Sequence, residues 1–311
     1  MNLLYSSGKT AKMPAFDNVI VFGATGAVGS AAALRAHKDG AKVSLALRDP
    51  SKPTPNLNGI ATEKLQADLT QPDSVKAAVH QTGAKAAFIY AVFGASEHMK
   101  PSIQALKDSG VEFVVFLSSF TIMKDIRSVS PADIIPHHHA QVEIVLEEVF
   151  GDESFVAVRP SYFASNIFQE KDGIDQGEVK LPNPDAIFDF ISPNDIGAVA
   201  GALLTSGQRV RIVDLLGPEK LTLKDAFNLV SEIIGKQIIV TKISEEEAAE
   251  KMKAKGLPPV LANWLIRNVV DHPTHFYDHP NAATAVENIQ KYSHHAPQRF
   301  QQWLELNKDK I

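Results

Sequence analysis

The chain has 311 residues, 44% of them hydrophobic and 22% charged, with a formal net charge of −5. That supplies a sizeable core for one large domain or a domain with a smaller lobe, and argues against a general nucleic-acid or anionic-membrane surface. It contains no cysteine, which excludes disulfides, thiolate catalysis and Cys-type zinc sites.

No stretch reaches the roughly 18 apolar residues that span a bilayer, and residues 1–9 lack the apolar core of a secretory signal. The expectation is a cytoplasmic protein without a membrane partner. Residues 1–16 read as an N-terminal extension.

Residues 19–22 form a short apolar run that reads as a buried strand and stops at Gly23. Gly26 and Gly29 follow at intervals of three, with Thr25, Ala27 and Val28 between them, and an alanine-rich helical stretch covers 30–37. Strand, glycine turn and helix together aim backbone N–H groups and a helix N-terminus at a phosphate. Gly23 permits the tight turn, Gly26 lets a pyrophosphate approach the backbone, and Gly29 lets the helix pack on the strand. The pattern predicts dinucleotide binding.

Residues 41–47 read as the second strand and end in Arg48-Asp49-Pro50, with Lys52 close behind. An acidic residue at this strand end would hold the ribose 2′-OH of NAD. A guanidinium suits a 2′-phosphate instead, so the predicted cofactor is NADP(H). The alternative pairs Arg48 with Asp49 and sends Asp49 to the ribose. After a third strand at 62–66, Asp68 is placed either to accept from the adenine amino group or to serve as a loop aspartate, with Leu69 beside it.

A helix is predicted at 72–81 and a fourth strand at 84–92, which puts Ala91 and Phe93 at the cofactor. A helix at 96–108 and a fifth strand at 112–117 follow, the latter ending at Ser118 and Ser119. A sixth strand at 155–159 ends at Pro160. Strands spaced by helices predict parallel βαβ units, and hence an α/β, Rossmann-type doubly wound sheet over 17–168.

Beyond that the texture changes. Residues 169–183 read as loop, 187–191 as a strand, and 196–204 as a helix capped by Asp195. A strand at 210–216, a helix at 222–234, a strand at 238–243 and an acidic helix start at Ser244 complete the pattern. Residues 169–311 therefore read as a smaller α/β substrate lobe interleaved with the end of the sheet.

The glycine turn, Arg48-Asp49-Pro50 and Ala67-Asp68-Leu69 resemble the NmrA-like family of atypical short-chain dehydrogenase/reductases. Phe116-Leu117-Ser118-Ser119, the His139…Glu143 pair, Arg159-Pro160-Ser161-Tyr162-Phe163-Ala164-Ser165-Asn166 and Leu216-Gly217-Pro218-Glu219 with Leu221-Thr222 are similar to later segments of that family. The resemblance covers roughly residues 18–236. It implies the fold and an NADP(H) site. The family contains both reductases and cofactor-binding regulators without measurable turnover.

Typical members of the wider superfamily carry a Tyr-x-x-x-Lys pair for proton transfer. Here that spacing occurs only at Tyr5 and Lys9, ahead of the first strand, and His139 stands at the lysine-equivalent position. His139 and Glu143 are i and i+4, which predicts a hydrogen bond that orients the imidazole and raises its pKa. His139 then contacts the nicotinamide ribose, relays a proton, or is only a helix-start histidine. Ser118 is placed to bond a substrate carbonyl or to cap its strand. Tyr162 is the best placed phenol for a substitute acid, or packs beside the nicotinamide, and Phe93 and Phe163 are candidate walls of that pocket. No metal is predicted, because His137, His138 and His139 are consecutive and cannot share an ion. His272, His275 and His279 read as a polar loop over the substrate cleft.

Three functions remain open. One is an NADPH-dependent reductase of a small apolar carbonyl, enone or quinone. Another is an NADP(H)-binding regulator acting through a protein partner. The last is a non-redox isomerase or cyclase on the same scaffold.

Overall fold

The computed structural model describes residues 13–311; Tyr5 and Lys9 lie outside the described residues. Phe16 enters the body at once, its N–H donating to the Thr205 carbonyl at 3.1 Å and its ring stacking on Phe113 at 5.5 Å.

The first half alternates strand and helix as its hydrophobic runs predict: β1 (Asn18–Phe22), α1 (Ala27–Lys38), β2 (Lys42–Leu47), β3 (Glu63–Gln66), α2 (Pro72–Thr82), β4 (Ala86–Tyr90), α3 (Lys100–Asp108), β5 (Phe113–Leu117), α4 (Ile134–Phe150) and β6 (Phe155–Pro160). The second half supplies α5 (Lys171–Gln176), β7 (Glu178–Leu181), β8 (Ile187–Phe188), α6 (Pro193–Ser206), β9 (Ile212–Leu215), β10 (Leu221–Thr222), α7 (Leu223–Ile234) and β11 (Ile239–Lys242). Four helices close the chain: α8 (Glu245–Ala254), α9 (Pro259–Asp271), α10 (Ala282–Ser293) and α11 (Phe300–Leu306).

Seven strands form one parallel sheet in the order β3-β2-β1-β4-β5-β6-β9. Val19, Val21 and Phe88 face α1 and α6, while Ile20, Phe22 and Ile89 face α2, α3 and α4. Covering both faces explains why these strands read as unbroken apolar runs. The architecture is α/β and Rossmann-like. Strand order reverses between β1 and β4, which opens a crevice at the carboxyl ends of the strands.

A second core lies beside the sheet, built from Phe188, Phe190, Phe227, Phe300 and Trp303. Two short sheets frame it, β7 with β11 in parallel and β8 with β10 antiparallel. Here the structure corrects the sequence reading twice. Residues 169–183 contain α5 and β7 rather than a loop, and β7 buries Val179 and Leu181 between more exposed charged residues. Its partner β11 is some sixty residues away, so nothing local reveals the pairing. The strand expected at 187–191 stops at Phe188, because Phe190 takes φ +45° and turns the chain. The turn buries Asp189, which accepts from the N–H of Gly217 at 2.6 Å, the N–H of Tyr162 at 3.2 Å and the Ser161 hydroxyl. Burial pushes its carboxyl up to about 6.

Asp195 does not cap α6. Ser192 does, accepting from the Asn194 N–H at 3.1 Å, and Asp195 instead accepts from the Gln298 N–H at 2.7 Å. Among the described residues no helix is long and apolar enough to cross a membrane.

Candidate functional site

The glycine turn connects β1 to α1 at the reversal point. Gly23 adopts φ +72°, and a Cβ on Gly29 would lie 2.4 Å from the Gly23 carbonyl oxygen. Any other residue at 29 would force the turn open. Gly26 is the N-cap of α1 and donates to the Gly23 carbonyl at 2.9 Å. It brings no capping side chain, and the first turn of α1 carries no acidic residue. The positive end of the helix and its free N–H groups are left for an anion. A cleft of about 390 Å³ opens over this turn. Gly23, Thr25, Gly26, Ala27, Val28 and Gly29 line one side, and Phe88, Leu117, Phe163 and Pro193 give the remainder an apolar wall.

A smaller cavity of about 60 Å³ continues toward the end of β2, lined in part by Thr25, Arg48, Lys52, Leu69 and Tyr90. Arg48 is exposed and forms no hydrogen bond or ion pair among the described residues. Asp49 lines the same cavity. It accepts from the Ser51 N–H at 3.0 Å and the Ser51 hydroxyl at 2.6 Å, and these bonds hold its carboxyl below the usual range. The pairing of Arg48 with Asp49 is therefore absent. Asp68 accepts at Oδ1 from the N–H and the hydroxyl of Thr70, both at 2.9 Å, in a local turn that precedes α2. Leu69 is buried and Ala91 is half-buried just beyond β4.

The other end of the cleft departs from the sequence reading. Glu143 is not the partner of His139. It is buried, and it accepts from the Ser118 hydroxyl at 2.6 Å and from Arg159 Nε and Nη2 at 2.9 and 2.7 Å. This network ties α4 to the ends of β5 and β6, and it spends the Ser118 proton inside the chain. The signal for it was Arg159, a charge inside an otherwise apolar strand, since a buried guanidinium requires a buried carboxylate.

His139 Nδ1 lies 2.8 Å from the Ile135 carbonyl, which only accepts, so Nδ1 carries the proton. Burial pushes the His139 pKa down, outweighing the Ile135 hydrogen bond and the Glu143 charge that push it up. The expected raised pKa is thus reversed. The ring is neutral, with Nε2 as a lone-pair acceptor. Phe93 stays 52% exposed and stacks on His138 at 4.0 Å. Burial pushes His138 down to about 4. The Tyr162 ring stacks on Phe188 at 4.1 Å and meets Phe190 edge-on, so the phenol belongs to the aromatic cluster of the lobe, and burial raises its pKa. Pro160 ends β6, and Phe163, three residues later, bridges to Ile191.

Among the described residues no group of three His, Cys, Asp or Glu side chains is arranged to hold a metal ion. His137 Nδ1 lies 3.1 Å from the Val129 carbonyl, and the His279 ring meets Phe120 at 5.0 Å. The side chain of His275 lies outside the described residues.

The sequence profile of the NmrA-like family matches residues 16–295. The chain belongs to the NmrA-like family. Within reach of this NmrA-like chain is the nitrogen metabolite regulation-like protein bik4 of Gibberella fujikuroi, 39% identical over 286 residues, which cover 83% of this chain and 86% of that protein. The fold is similar to the NADPH complex of the Escherichia coli quinone oxidoreductase QOR2, with a TM-score of 0.71 at 18% identity over 91% of this chain and 97% of that one. It is also similar to the Citrobacter triphenylmethane reductase complexed with NADP(H), with a TM-score of 0.71 at 16% identity over 93% and 99% of the two chains.

Proposed function

We propose that this NmrA-like protein binds NADP(H) and uses NADPH to reduce a small apolar carbonyl, enone or quinone. The observation that carries the cofactor assignment is Arg48, a cation without a protein partner at the end of β2, beside an uncapped helix N-terminus. The residues present fit the group. The 23–29 turn offers N–H donors to a pyrophosphate, and Arg48 offers a fork of donors to a ribose 2′-phosphate. Asp49, which lines the same cavity, has its Oδ1 tied to the Ser51 N–H and hydroxyl.

NADPH supplies a hydride when bound. The chain contributes position and dryness: Phe88, Leu117, Phe163 and Pro193 form a wall that excludes water and accommodates an apolar acceptor. His139 Nε2 accepts a hydrogen bond, as from a ribose hydroxyl, and is not a ready acid because burial keeps the ring neutral. Ser118, with its proton on Glu143, is a strand-end tether rather than a donor to substrate. The acceptor that suits such a site is one whose reduction needs no strong acid, such as a quinone or an enone.

The second reading is an NADP(H)-binding regulator, favoured by the commitment of Ser118 and Tyr162 to internal contacts and by the similarity to bik4. Loss of NADPH absorbance across a panel of quinones, enones and aldehydes separates the two. Turnover with any member supports the reductase. Tight cofactor binding with no turnover across the panel transfers the assignment to the regulator.

A further inference from the structure

The junction between the two cavities is filled by one side chain. Tyr90, the last residue of β4, lines both of them. It is half-buried and packs against the core on the Ile20, Phe22 and Ile89 face of the sheet. The ring lies directly on that turn: a Cβ built on Gly23 would sit 2.7 Å from Tyr90 Cε1 and 3.0 Å from Cδ1. The phenol is also within electrostatic reach of Arg48, which lines the smaller cavity, and of Asp68. Among the described residues its hydroxyl makes no hydrogen bond that would fix it there.

The consequence is one of size. The cavity on the Arg48 side is about 60 Å³, whereas an apolar cavity of about 150 Å³ is what holds one benzene ring. A purine with its ribose is larger than benzene, and the groove beside Tyr90 does not enclose it as the ring stands. The pyrophosphate side, at about 390 Å³, has no such restriction.

We propose that Tyr90 closes the Arg48 chamber in the free protein and has to swing off Gly23 to admit an adenosine 2′-phosphate. This rests on the NADP(H) reading above and adds regulation to it. Only the open fraction binds, so apparent affinity for anything carrying the adenosine half falls in proportion to that fraction. A ligand carrying only the nicotinamide half does not need the Arg48 chamber.

The test uses the whole chain and two half-cofactors, adenosine 2′,5′-bisphosphate and reduced nicotinamide mononucleotide, titrated calorimetrically into wild type, Tyr90→Ala and Tyr90→Phe. Tyr90→Ala is expected to bind the bisphosphate on the order of 10-fold tighter than wild type, a closed population of about nine in ten. Tyr90→Phe keeps the ring and therefore the weak binding, and the mononucleotide, which does not enter the Arg48 chamber, shows no comparable gain in Tyr90→Ala. Equal or weaker bisphosphate binding by Tyr90→Ala overturns the gate and leaves the cofactor reading standing. No binding of the bisphosphate or of NADPH by any form overturns both.

Discussion

The two ends of the cleft treat their polar groups in opposite ways. Along the 23–29 turn and the end of β2 the chain leaves donors unused, in the uncapped N-terminus of α1 and in Arg48. Around α4, Ser118, Glu143 and Arg159 satisfy one another, and His139 gives its Nδ1 proton to its own helix. Unspent donors at a cleft describe a binding site. A closed network describes a scaffold.

The strongest way to break this comparison is to open the closed network. Arg159→Met strips the buried Glu143 carboxylate of its two guanidinium hydrogen bonds, leaving it the Ser118 hydroxyl and Arg211 at 3.5 Å, and is expected to cost about 3 kcal/mol in denaturant unfolding. A loss below about 1 kcal/mol would mean that the network is not what anchors α4. Next in size is Gly29→Ala, whose Cβ meets the Gly23 carbonyl. It is expected to lower stability by about 1–3 kcal/mol and to abolish NADPH binding in the same titration. Retained binding would show that the turn is not the phosphate site.

Arg48→Ala acts on binding alone. Removing a charge-assisted contact worth about 1.5–3 kcal/mol is expected to weaken NADPH roughly 10- to 100-fold while leaving NADH and the unfolding midpoint unchanged. A parallel loss of both cofactors would place Arg48 on the shared part of the molecule.

The smallest effect concerns pH. His138 is held at about 4 in the folded chain against 6.5 when unfolded. The unfolded chain therefore binds the extra proton between those values, and stability falls as pH drops from about 6.5 toward 4. Asp189, raised to about 6, works in the opposite sense, because there the folded chain takes up the proton first. Comparing His138→Phe with wild type cancels the Asp189 contribution. The variant is expected to lose less Tm than wild type between pH 7 and pH 5, and parallel losses would contradict the buried, neutral ring.

The same contrast explains what the sequence made legible. The glycine turn and Arg48 announce themselves because a phosphate site of this kind is built from neighbouring residues and backbone. The parallel strands do so because both of their faces are covered. The Ser118–Glu143–Arg159 network joins three elements, and an i,i+4 rule applied to His139 and Glu143 chose the near neighbour over the stronger distant partner. The β7–β11 pair was hidden for the same reason. Tyr90 escaped the sequence reading because its contact with Gly23 exists only in three dimensions.

The central claim is that the open end of the cleft is built for a 2′-phosphate. Calorimetric titration of the wild-type chain with NADPH and with NADH tests it most directly. The account predicts NADPH binding at least 10-fold tighter, equivalent to about 1.4 kcal/mol. Equal dissociation constants for the two would contradict it.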